Sequence, residues 1–167
     1  MKLHKDKGHD NLIKKYHLHP FKVQVLSKER TLCEKIMSLV RFSQQEDPYI
    51  GLANKIRHIY DIHLMLKNEE IKLFFESNVF NEMLNKVGQD DMVSHKNNNE
   101  WLLNHPAKAI IFDRPEKTWD KIKTNYQTIF KELVIGEFPS EINLIGTLKI
   151  VAERLKTVKW NILNNSS

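Results

Sequence analysis

The sequence predicts a mainly α-helical protein, a bundle of about five helices with one short N-terminal strand left over from a sheet that is otherwise missing. Three observations carry this. Apolar residues recur at spacings of three and four through most of the chain after residue 27. Side chains able to cap a helix stand where such runs begin, at Ser27 and Ser140, and Pro115 stands where a first-turn proline is tolerated. Strict alternation occurs at one place, Phe21, Val23 and Val25 with Lys22 and Gln24 between them.

Residues 1–20 show no sustained period and carry His4, His9, His17 and His19 among lysines, so they read as a basic, poorly ordered segment. The His17-x-His19 spacing suits a metal, but no cysteine or third ligand accompanies it and no metal is assigned. Residues 21–26 predict a strand with no comparable strand after it to pair with. From 27 to 163 the chain predicts one helical domain, and 164–167 a frayed tail.

Ser27 caps a first helix with Leu32, Cys33, Ile36, Leu39 and Val40 on one stripe and Lys35 on its flank, ending near Phe42 and Ser43. After a loop from Gln44 to Pro48, a second helix carries Leu52, Ile56, Ile59, Tyr60, His63 and Leu66, and the short connection predicts antiparallel packing. Arg57 and Asp61 lie four apart opposite that stripe, the spacing of a surface ion pair. Ile62, Leu64 and Met65 fall off the stripe, which predicts that this helix faces something on a second side. His63 is on the stripe and nothing orients His58, so both read as structural.

Residues 69–87 give a weaker helical pattern with a break near Ser77 and Asn78, and Gly88 reads as its stop. The polar run from Gln89 to Glu100, which includes Asp90 and Asp91, reads as a surface loop before Trp101, Leu102 and Leu103 return to the core. Pro115 opens the clearest stripe, Trp119, Ile122, Tyr126, Ile129, Phe130 and Leu133, and Gly136 ends it. The helical spacing of Trp119, Tyr126 and Phe130 favours core packing over base stacking. Ser140 caps a last helix with Ile142, Ile145, Leu148, Val151, Leu155, Val158 and Ile162 buried along one side.

Charge and cysteine content narrow the function classes. The formal charge of +5 comes from residues 1–30, with eight Lys and Arg against three acids, while residues 31–167 carry 18 of each sign. The basic arm could attract RNA phosphates or simply solubilise the chain. A single cysteine, Cys33, rules out an internal disulfide and a cysteine-based zinc cluster. Charged residues interrupt any apolar run near the start, and no stretch reaches bilayer length, so a cytoplasmic protein with no membrane partner is expected.

Two segments carry a family resemblance: V-L-S-K-E-R-T-L-C-E-K-I-M-S-L from Val25 to Leu39, and K-I-R-H-I-Y-D-I-H-L-M-L from Lys55 to Leu66. Their order and spacing after a strand resemble the nucleotidyltransferases of the AbiEii/AbiGii toxin family. W-x-x-x-K-x-N-Y from Trp119 to Tyr126, and Phe138-Pro139, resemble the tail of that family, so the likeness runs from Phe21 to about Leu155. The resemblance implies a polymerase-beta-like enzyme of a toxin–antitoxin (abortive infection) system that uses Mg²⁺ to transfer a nucleoside monophosphate from an NTP, often to RNA, with tRNA among the candidates. It also implies a nucleotide-binding role for Lys35, Arg57 and Asp61, with Lys35 meeting the phosphates.

The sequence departs from the family in one respect. Such chemistry needs paired carboxylates on adjacent strands behind a Gly-rich turn, and here there is no D-x-D, while Gly8, Gly51, Gly88, Gly136 and Gly146 are scattered. The expectation is a fragment, a truncated product or one piece of a split gene. No catalytic residue and no metal site are expected within it, no cofactor is expected bound to it, and alone it is expected to be inactive. Its partners would be the missing nucleotidyltransferase half or a cognate antitoxin. The alternative is a non-catalytic helical protein-interaction module acting through an Ile62/Met65 surface.

Overall fold

The computed structural model describes residues 26–95, 98–133, 136 and 138–162. Among them every regular element is a helix and no strand occurs, which makes the protein mainly α as expected. The basic segment 1–20, the strand 21–26 up to residue 25, and the tail 164–167 lie outside the described residues. Leu26 is described, has no regular structure and is half exposed.

Helix α1 (Lys28–Phe42) is the central element. Ser27 Oγ accepts from the backbone N–H of Arg30 at 3.2 Å, which satisfies one of the first-turn donors. Leu32, Cys33, Ile36, Met37, Leu39 and Val40 are all buried, more than a one-stripe surface helix needs, because neighbours cover α1 on several sides. Cys33 is fully buried, and burial pushes its thiol up to about 12, so it behaves as a small hydrophobe.

The expected second helix is two. Helix α2 (Pro48–Ala53) is capped by Asp47, and α3 (Ile56–Leu66) restarts after a turn at Asn54 and Lys55. No proline forces this break. Helix α2 packs against α7 (Pro115–Asn125), whereas α3 packs against α1 and against α9 (Glu141–Lys156), and one straight helix could not serve both directions.

The break near Ser77 is where the sequence places it, between α4 (Glu69–Glu76) and α5 (Asn78–Ser94). Gly88, however, is not a stop. Helix α5 runs on to Ser94, so Asp90 and Asp91 sit on a helix rather than in a loop. The reason lies about seventy residues away: a Cβ on Gly88 would come within 2.5 Å of the Trp160 ring and 2.6 Å of Ile162. The glycine makes room for the C-terminal segment, which Asn85 also fastens, donating to Lys159 O at 3.0 Å and accepting from Asn161 N at 3.0 Å. Val158 and Ile162 are buried there as expected, although α9 ends at Lys156 before reaching them.

After two 3₁₀ turns (Glu100–Leu103 and Pro106–Lys108) and the short α6 (Ile110–Asp113), α7 continues through a π-helical turn (Tyr126–Phe130) into α8 (Lys131–Leu133). Gly136 has φ of 113°, a left-handed conformation that costs little for glycine. Trp119, Tyr126 and Phe130 are buried core residues. Trp119 Nε1 donates to Glu141 Oε2 at 2.9 Å and Tyr126 Oη donates to Pro139 O at 2.6 Å, so their polar atoms are satisfied inside the bundle.

Two apolar residues expected inside are outside. Leu103 is 55% exposed and Ile142 is 81% exposed, because the first ends a 3₁₀ turn facing solvent and the second lies on the outer face of α9. The Ile62/Met65 surface proposed for protein binding is absent: Ile62 is 1% exposed and Met65 packs against the core. Helix α3 does face elements on more than one side, but they are α1, α4 and α9 of this same chain.

Candidate functional site

Asp61, in the second turn of α3, meets the flank of α1. The two helices pack together, which brings Lys35, twenty-six positions earlier in the chain, to Asp61: Lys35 Nζ lies 2.7 Å from Asp61 Oδ2. Both side chains are about four-fifths shielded. Arg57 Nε stands 3.8 Å from the same oxygen and is 78% exposed, so it is a loose second partner. The pair expected from sequence spacing, Arg57 with Asp61, is therefore the weaker one. Its tighter counterpart joins two helices and could not be seen from i, i+4 spacing.

Two further residues belong to the same cluster. Burial, then the positive charges of Lys35 and Lys55, push the His58 imidazole down to about 4, with Arg57 adding to the effect and Asp61 opposing it. The Nδ1 atom of His58 is buried and has no hydrogen-bond partner among the described residues. Lys55 Nζ lies 4.8 Å from the centre of the Phe42 ring, at the end of α1. From sequence His58 reads as structural and Lys55 carries no signal beyond its closeness to Arg57, at the start of a helix that packs on α1.

His63 has a different role. It is buried, and its Nδ1 lies 2.8 Å from Thr147 Oγ1. Since that hydroxyl donates to Asn143 O at 3.0 Å, the imidazole Nδ1–H is the donor to Thr147. The bond ties α3 to α9 and keeps the site helix in place.

The low pKa of His58 makes stability depend on pH. In the unfolded chain this imidazole takes a proton at its ordinary value of 6.5, and in the folded chain near 4, so stability falls as pH drops through that window and the loss is complete at its lower end. Asp91, whose carboxyl is raised by burial, acts in the opposite sense at the acidic end. Urea midpoints measured between about pH 7.5 and 4.5 should shift less in His58→Gln than in the parent. Identical pH slopes would remove His58 from the account.

Chemically the cluster offers cations to an anion. Lys35 and Arg57 stand against one carboxylate, Lys55 adds a third positive charge near His58, and Lys35 is held by that carboxylate rather than left to sample rotamers. Phosphate groups fit such a cluster. Mg²⁺ does not: among the described residues no group of three or more His, Cys, Asp or Glu side chains could hold a metal ion. Asp61 is occupied by Lys35, Asp90 by Arg30 at 2.7 Å, and Glu34 by the same arginine at 2.8 Å. No helix of the described residues is long and apolar enough to cross a membrane.

The family model described as nucleotidyl transferase AbiEii toxin, type IV TA system, matches residues 8–148. No curated protein and no solved structure matches the chain. The matched span includes α1 and α3 and so both sides of the Lys35–Asp61 contact. Because the match covers well over half of the sequence, the chain belongs to the AbiEii nucleotidyl transferase toxin family of type IV toxin–antitoxin systems.

Proposed function

We propose that this chain is the helical part of such a nucleotidyltransferase and completes the nucleotide cleft, with Lys35, Arg57 and Asp61 as its nucleotide-binding contributors. The observation that carries this reading is the 2.7 Å contact between Lys35 and Asp61. It joins the two segments that resemble the family, and it orients a shielded ammonium beside a second cation. In the reaction, an acceptor hydroxyl on RNA bonds to the α-phosphorus of an NTP, the α–β phosphoanhydride breaks, and pyrophosphate leaves. Lys35 binds the departing phosphates and Arg57 screens them from the solvent side. Asp61 is a positioning residue for Lys35.

When bound, Mg²⁺ neutralises charge on the triphosphate and activates the acceptor hydroxyl. The carboxylates that hold it belong, in this proposal, to a nucleotidyltransferase half outside the described residues, which makes residues 27–163 a helical domain that docks onto that half. Membership of a toxin–antitoxin family implies an antitoxin partner as well.

The test is incorporation of label from each NTP into bulk tRNA with Mg²⁺, using this chain alone and then with a D-x-D-bearing half supplied in trans. The chain alone should transfer nothing, and the pair should restore transfer. Metal-dependent incorporation by the chain alone would mean that its own carboxylates hold the metal, and the proposal would fall.

A further inference from the structure

The segment after α9 is built as an arm. Helix α9 stops at Lys156, Thr157 turns the chain, and residues 158–161 run on with no regular structure to a bend at Ile162. Their side chains alternate. Val158 and Ile162 are buried and Trp160 packs on the core between them, whereas Lys159 and Asn161 are exposed. A period of two is the pattern of an extended peptide lying on an apolar surface.

The fastenings of this arm come from α5 and the 3₁₀ turns, 53 to 76 positions earlier in the chain. Asn85 Nδ2 donates to Lys159 O and its Oδ1 accepts from Asn161 N, so one carboxamide grips two peptide groups of the arm, each at 3.0 Å. His105 Nε2 lies 3.0 Å from Val158 O. Because His105 Nδ1 accepts from Ala107 N at 3.2 Å, Nε2 carries the hydrogen and donates it to that carbonyl. Trp160 Nε1 completes the set by donating to Leu102 O at 2.9 Å. Asn85 and His105 thus hold main chain while alternate side chains fill pockets, the division of labour by which extended peptides are bound. Gly88 provides the seat, since a Cβ there would meet the Trp160 ring and Ile162.

The hinge has space to move. A cavity of about 610 Å³ lies between Thr157 and Lys159 on the arm and Asn78, Asn81 and Glu82 on α5. Thr157 is exposed, and its turn is held by its own N–H to Arg154 O at 3.2 Å and by its hydroxyl, which accepts from Arg154 Nη1 at 2.6 Å. Threonine takes extended backbone readily, so a change at this residue swings the arm outward and empties the groove.

We propose that the arm is exchangeable, and that the groove between α5 and the 3₁₀ turns takes the same arm from a second copy of this chain. Every copy carries both the groove and a segment that fits it, and the contacts are the same within one chain as between two. The closed monomer therefore prevails in dilute solution, and the paired form grows as the protein approaches the effective concentration of the tethered arm, about millimolar. The arm lies beyond the span 8–148 that the family model matches, and its exchange does not depend on nucleotide transfer.

The test uses complementary lesions in the full chain. Gly88→Val blocks the groove and leaves the arm intact, and Trp160→Ala spoils the arm and leaves the groove open. By size-exclusion chromatography with light scattering, each alone should stay monomeric up to about 1 mM, where the parent begins to pair. Mixed, the two should form a one-to-one heterodimer, with the arm of the glycine variant seated in the groove of the tryptophan variant. Adding Asn85→Ala to the Trp160→Ala chain should weaken that heterodimer about tenfold, the loss of one or two hydrogen bonds.

A mixture that stays monomeric while both variants keep the helical circular dichroism of the parent would overturn the proposal. A heterodimer indifferent to Asn85→Ala would do the same, because the contact would then lie elsewhere. If Trp160→Ala unfolds the chain, the segment is a fixed part of the core and no arm exists. If Gly88→Val is the variant that fails to fold, a labelled hexapeptide with the sequence of residues 157–162 takes its place. Saturable binding of this peptide to Trp160→Ala, reduced by Asn85→Ala, is expected, and no binding up to about 1 mM rejects the exchange.

Discussion

Lys35→Ala, placed in an enzyme reconstituted from this chain and the metal-binding half proposed above, is expected to lower turnover by about a hundredfold or more. Removing one preorganised charge from a site where phosphate charge moves in the transition state costs about 3 kcal/mol in barrier. The effect on folding should be much smaller. The Lys35–Asp61 pair is about one-fifth exposed on each side, so losing the lysine leaves a carboxylate that still reaches water and Arg57. Asp61→Asn keeps the shape and removes the charge that orients Lys35, so it should raise KM for the NTP more than Arg57→Ala does. Arg57→Ala should cost at most about 1 kcal/mol of stability, the range of an exposed ion pair. Single-turnover rates at saturating NTP, set beside urea midpoints for the same variants, separate the two effects. Wild-type turnover in both Lys35→Ala and Asp61→Asn would reduce the contact to a helix–helix fastener.

Trp119→Ala should remove about 3–5 kcal/mol of stability, the largest effect expected of a single substitution in the chain alone. Trp119 is fully buried, meets Tyr126 edge-on with ring centres 5.3 Å apart, and donates its indole N–H to Glu141 at the start of α9. Truncation would leave a cavity between α7 and α9 and take from Glu141 one of its two side-chain donors, Gln127 remaining as the other. A domain of this size has about 5–15 kcal/mol in total, so the variant should sit near the edge of folding at 37 °C. Trp119→Phe fills most of the space and should lose far less. Urea unfolding followed by far-UV circular dichroism measures both. A loss under about 1 kcal/mol in Trp119→Ala would show that the aromatic cluster is not what joins these two helices.

Much of this architecture is legible in one dimension because its causes are local. Ser27 and Ser140 cap the helices they were expected to cap, since a side-chain oxygen answers a backbone N–H three residues on. Gly136, expected as a stop, adopts the left-handed conformation that is cheap for glycine. The buried stripe of α1 is read from its spacing with few errors.

Three of the errors share one cause, which is distance along the chain. Gly88 is a helix breaker by local rules, yet it lies within α5 because Trp160 and Ile162 fill the space a side chain would take. Ile62 and Met65 fall off a single stripe, yet α1, α4 and α9 surround their helix and leave no second face for a partner. The turn at Asn54 and Lys55 has no sequence signal of its own and follows from two packing directions.

The candidate site divides in the same way. Lys35, Arg57 and Asp61 could be nominated from the motifs that carry the family resemblance, and family membership follows from the chain's order of residues alone. Sequence by itself determined the helical class, the caps, the family and these candidate residues, because periodicity, capping and motif spacing act over a few positions. Only the tertiary structure decided that Lys35, rather than Arg57, is the close partner of Asp61, and that His58 and Lys55 lie near them. Those contacts join segments tens of residues apart, and a pairing of that kind exists only once the helices have packed.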